Sequence, residues 1–106
     1  MNDKVKVVLA QLRRYLETLY GSQLERVVLY GSQARGDAKS DSDIDVLIVP
    51  KQPVDSFAEI ERTGEFTSHL CLENNVVISR VFTSTAQFKS ENDGFFRNVR
   101  REGIAV

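Results

Sequence analysis

Two short clusters hold most of the residues in this sequence that could do chemistry. Gly31-Ser32 follows the run Arg26-Val-Val-Leu-Tyr30, and Asp43-x-Asp45 opens the run Asp43-Ile-Asp-Val-Leu-Ile-Val49. If residues 43–49 form a strand, Asp43 and Asp45 point to one face and Ile44, Val46 and Ile48 to the other, with the aspartate Cα atoms about 6–7 Å apart. Two ionised carboxylates that close repel each other, and burial raises the pKa of both, unless a cation lies between them. Carboxylate oxygens with open positions suit magnesium or manganese, hard ions that share their coordination shell with substrate phosphates. The alternative is a pair on a solvent-facing strand, or capping turns, with no metal at all.

Gly31-Ser32 supplies the complementary half. Glycine lets the backbone approach a ligand closely, successive N–H groups at a helix start make a concavity for anions, and the Ser32 hydroxyl adds a donor. Alone, a Gly-Ser after a strand is an ordinary turn. If the two flanking strands are neighbours, the turn and the aspartates face one pocket. A phosphate-binding turn opposite a metal-binding pair is what phosphoryl or nucleotidyl transfer needs, because its catalysis is largely positioning and charge neutralisation.

The elements that must position these clusters are legible from periodicity. Val5, Val8, Leu9, Leu12, Leu16 and Leu19 recur at helical spacing, which predicts an amphipathic helix over 4–20 ended by Gly21. A strand over 26–30, one helical turn over Ser32–Arg35 and a strand over 43–49 closed by Pro50 follow. One helix is expected over 56–72 despite Gly64, then a strand over Val76–Thr83, a short helix capped by Ser84 or Thr85, and a last helix from Gly94 to Glu102. This order predicts an α+β class, an α/β sandwich in which helices flank a small mixed sheet.

Whole-chain properties narrow the function. At 106 residues, one domain spanning 1–106 is expected. The net charge of −1 argues against a protein that binds nucleic acid by neutralising many phosphates. Cys71 is the only cysteine, which excludes an internal disulfide and a Cys-based zinc centre. No apolar run approaches the roughly 20 residues of a membrane span, and the start MNDKVKVV lacks a signal-peptide core, so a cytoplasmic location is expected.

The spacing Gly31-Ser32, ten residues, Asp43-x-Asp45, with Ala34-Arg35-Gly36 and Ser42 in place, resembles the signature of the DNA polymerase β-like nucleotidyltransferase superfamily. The length and the ending NVRREGIAV resemble more narrowly the minimal nucleotidyltransferases (MNT), antitoxins of HEPN/MNT toxin–antitoxin pairs. The resemblance runs along the whole chain and is densest from 27 to 49. It implies a polymerase β-like fold, with Gly31 and Ser32 holding the triphosphate of ATP and Asp43 and Asp45 binding Mg2+ (or Mn2+) as the catalytic pair. It further implies that AMP passes to a protein hydroxyl, a tyrosine of a HEPN ribonuclease toxin, which is thereby silenced in a hetero-oligomer. Ser42 would support the metal loop or the phosphates, and Arg35 would contact phosphate or pair with Asp37 or Asp41.

One element of that pattern is absent. Many members carry a third carboxylate on the next strand, where this sequence has Ser79 and Arg80. Serine is no general base unaided. Glu73, Glu102 or an acid of the acceptor could substitute, and the second reading is a catalytically weak module that neutralises its partner by covering it. A small-molecule transferase is a third reading, disfavoured because no acceptor-binding domain is in sight. His69 is expected on a helix surface or core edge, and Phe95 and Phe96 either pack the last helix or face a partner.

Overall fold

A computed structural model describes residues 1–90 and 93–106. Helix α1 (Asp3–Tyr20) starts where the Asn2 side chain accepts the Val5 N–H at 2.8 Å, and its apolar stripe buries Val5, Val8, Leu9, Leu12 and Leu16. It leads through a 3-10 turn (Gly21–Gln23) into strand β1 (Leu24–Tyr30), the short helix α2 (Ser32–Arg35) and strand β2 (Ile44–Pro50). Helices α3 (Ser56–Arg62) and α4 (Gly64–Asn74) precede strand β3 (Ile78–Phe82). Helices α5 (Thr85–Phe88) and α6 (Gly94–Glu102) and the two-residue strand β4 (Ile104–Ala105) complete the order.

The strands form one sheet in the order β3-β2-β1-β4. β2 pairs antiparallel with β1 and parallel with β3, so the sheet is mixed, as the resemblance implies. Alternation along the strands divides the core. Val27, Leu29, Ile44, Val46, Ile48, Ile78 and Phe82 pack beneath α1 and α4. Val28, Leu47 and Val49 face the other way, against Phe88 of α5 and Val99 of α6. Each fully buried Leu or Ile contributes about 1.5–3 kcal/mol relative to exposure, so the sheet's centre is rigid on both faces. No helix among the described residues is long and apolar enough to cross a membrane.

Three expectations need correction. The helix expected over 56–72 is two helices, broken at Thr63. There the Thr63 hydroxyl donates to Glu59 O at 2.8 Å and accepts from the Arg80 guanidinium, which also donates to Ile60 O at 3.3 Å. An arginine 17 residues from Thr63 in sequence thus bonds its hydroxyl and takes the Ile60 carbonyl that a continuous helix would keep for itself. Second, Asp43 lies outside its strand: β2 begins at Ile44, whose N–H is the first to reach the neighbouring segment, at Val77 O (2.8 Å). Asp43 is exposed, and only Asp45 is half-buried. Third, β4 was unforeseen; it adds to the β1 edge through Val28–Ala105 and Leu29–Ile104.

Candidate active site

The site lies on the α5/α6 side of the sheet, at the end where β1 leaves for α2 and β2 arrives. Antiparallel register sets Tyr30 beside Asp45, so the residue following Tyr30 turns directly over the Asp45 carboxylate. That residue is Gly31, with φ +74°, a conformation that L side chains rarely adopt. A Cβ built on Gly31 would overlap Asp45 Oδ2 and lie 3.3 Å from its Cγ. The glycine was expected to let the backbone approach a ligand; here the close approach is of the turn to the Asp45 carboxylate.

α2 begins at Ser32, and as its first residues Ser32 and Gln33 have N–H groups with no intrahelical acceptor. Gly31 O takes the N–H groups of Ala34 (3.1 Å) and Arg35 (3.0 Å), and Gly36, at φ +83°, ends the helix. The loop back to β2 is closed by Ser42, whose hydroxyl accepts the Lys39 N–H at 2.8 Å. Buried Gln33 donates to Ser42 O at 3.5 Å, tying the turn to the aspartate loop. Ser42 thus has the loop-supporting geometry that one of its two expected roles requires. Gln33 was missed in sequence because a glutamine in a polar turn gives no sign of burial.

Arg35 pairs with Asp37 at 3.3 Å and with Glu102, at the end of α6, at 3.5 Å. Asp37 was foreseen as a partner and Glu102 was not. Glu102 is engaged by Arg35 and Arg101, and Glu73 by His69 at 2.8 Å on the exposed surface of α4, so neither joins the aspartates as a third acid. Ser79, in parallel register with Asp45, occupies that position and is exposed at the sheet's β3 edge. Arg80 points to the opposite face, under α3, where burial lowers its pKa. Among the described residues no cluster of three or more His, Cys, Asp or Glu side chains forms.

The electrostatics single out Asp45. Burial, then the neighbouring Asp43 charge, raise its pKa above the ordinary carboxylate value, while Arg35 works in the opposite direction. Burial, then the charge on Asp45, likewise raise the Tyr30 pKa and keep that phenol neutral. No described Lys, Arg or His comes within ion-pair distance of Asp43 or Asp45. Two adjoining carboxylates, one half-buried and neither paired among the described residues, are a donor set that fits a hard divalent cation.

The nucleotidyltransferase domain family matches residues 9–93, which contain both clusters. The chain is 36% identical over 89 residues to the Methanocaldococcus jannaschii protein named "Putative protein adenylyltransferase MJ0604", covering 83% of each. Two solved structures share the fold. One is a toxin–antitoxin with AMP-PNP, at a TM-score of 0.61 and 18% identity, covering 98% of this chain and 72% of the other. The second is a tri-AMPylated Shewanella oneidensis HEPN toxin in complex with MNT antitoxin, at a TM-score of 0.55 and 16% identity, covering 94% and 69%. The family model spans most of the chain and the relative is alike along most of its length: the chain belongs to the nucleotidyltransferase domain family and is a nucleotidyltransferase.

Proposed function

We propose that the protein transfers AMP from ATP to a hydroxyl on a partner protein, a tyrosine of a HEPN-type ribonuclease toxin, and so acts as that toxin's antitoxin. The observation that carries this reading is the contact between Gly31 and Asp45: the anion-binding turn and the acid pair are one site. Ser32, with its hydroxyl and the N–H groups at the start of α2, receives the β- and γ-phosphates, and Arg35 turns from its carboxylate partners to the same polyanion. Asp43 and Asp45 would hold Mg2+ (or Mn2+), which on binding neutralises phosphate charge and lowers the pKa of a bound hydroxyl. The acceptor oxygen bonds to the α-phosphorus, the bond to the β-phosphate bridge breaks, and pyrophosphate and the hydroxyl proton leave.

In-line displacement assigns sides. With pyrophosphate leaving over Ser32, beside β1, the acceptor must come from the β3 side, where Ser79 and the exposed edge of the sheet lie open. A macromolecular acceptor can reach that edge. Incubation of the protein with ATP, magnesium and the partner should add one or more nucleotide masses to the partner, read by intact mass spectrometry. A tight complex that neutralises the partner with no added mass establishes the alternative, a module that works by masking. Ser79 in place of an acid is the observation favouring it.

The register gives a second expected result. Ser79→Asp sets a third carboxylate beside Asp45, so calorimetry should show divalent-ion affinity higher by about tenfold, roughly 1.4 kcal/mol. Unchanged affinity would mean that the side chain at 79 does not reach the ion.

A further inference from the structure

On the reading that Gly31–Ser32 receive the triphosphate, we propose that the exposed ring of Phe95 is the shelf on which the base of the nucleotide stacks. Three directions lead away from Asp45, and the chemistry assigns two. Pyrophosphate takes the Ser32 direction and the acceptor takes the Ser79 direction. The third runs over Tyr30, Asp45's partner in register, to α6. There Phe95 stands 5.4 Å from the Tyr30 ring at 88°, and 5.2 Å from Phe96 at 72°. These edge-to-face contacts hold the ring in place, and Phe95 remains 42% exposed. Its backbone is equally fixed, because Asp93 accepts the N–H groups of Phe95 (2.9 Å) and Phe96 (3.4 Å), while Phe96 packs against the inner sheet face.

A held aromatic ring one side chain away from the catalytic register is within the length of a nucleotide, and every base has a π-face to lay on it. Stacking of this kind is tolerant of base identity, so the ring would secure the nucleoside while leaving the choice among purines weak. The ring therefore supplies a grip on the base and ribose end that the phosphate turn lacks.

The test compares Mg-ATP with magnesium and inorganic triphosphate, titrated by calorimetry into wild type, Phe95→Ala and Phe95→Trp. The expected result is that Phe95→Ala weakens ATP binding by about tenfold to a hundredfold. Inorganic triphosphate should bind all three proteins alike, and Phe95→Trp should keep ATP affinity. Unchanged ATP affinity in Phe95→Ala overturns the proposal, and if partner affinity falls instead, the ring belongs to the acceptor's interface. Parallel loss of both ligands also overturns it, since the substitution then acts through the fold. Should wild type bind triphosphate as tightly as ATP, the shelf is refuted while the phosphate turn stands; should it bind neither, the turn fails and the shelf with it.

Discussion

Gly31→Ala should lower nucleotidyl transfer by at least about a hundredfold, the cost that displacement of a reacting group by an ångström can carry. The added methyl has no free volume, because it would overlap Asp45 Oδ2 and lie 3.3 Å from its Cγ. The carboxylate is the movable member of that contact, so it will rotate away and leave the place where it serves the reaction. Alanine at φ +74°, ψ −156° also costs about 1–3 kcal/mol of backbone strain, which lowers the melting temperature by several degrees. Gly21 provides the control that separates the two effects. It has φ +55° with nothing within 4 Å of the place a Cβ would take, and it lies at the far end of β1. Gly21→Ala should therefore lose comparable stability in thermal denaturation and keep its transfer rate. Equal activity losses in both variants would show that the effect at Gly31 is merely one of folding.

This contact explains why so much of the site was legible in sequence. Glycine after a β-branched run and aspartates in alternation are local signals, and the frame β1, turn, α2, β2 is built from them with few residues between. The features that were not legible depend on partners distant in the chain. The break at Thr63 is bonded by Arg80, and Arg35 is restrained by Glu102, with three helices and two strands between them. β4 has two exposed residues and thus no alternation to read; its place follows from α6 ending against β1. Asp43 was expected inside the strand because it alternates with Asp45 at the head of an apolar run. Yet nothing in apolar patterning says where pairing with the adjacent segment starts, and that start, at Ile44, leaves Asp43 in solvent and free to turn toward a ligand.

Asp45→Asn and Asp43→Asn should move activity and stability in opposite directions. Each removes a charge from the acid pair that faces the phosphate turn, so transfer should drop by about a thousandfold, the scale of losing a main electrostatic contact to the reacting group. In the metal-free protein the same change relieves repulsion. Asp45 is partly exposed and solvent screens the pair, which limits the gain to about 0.5 kcal/mol, or about 2–4 °C in melting temperature. The pH dependence fixes the cause. Folding raises the Asp45 pKa, so folding disfavours the ionised form, and the wild type loses stability as the pH rises through that raised value. The advantage of Asp45→Asn should accordingly be full near neutrality and vanish as the pH falls to about 3, below the ordinary carboxylate range, where the carboxyl is largely protonated in folded and unfolded chains alike. Magnesium reverses the order, because an ion bound by the folded state alone stabilises the wild type and not the variant. Thermal denaturation with and without magnesium, at about pH 3 and about pH 7.5, checks all four corners. A variant less stable than wild type without metal near neutrality would mean that Asp45 is held by the fold for its own sake, and the pair would lose its standing as an ion site.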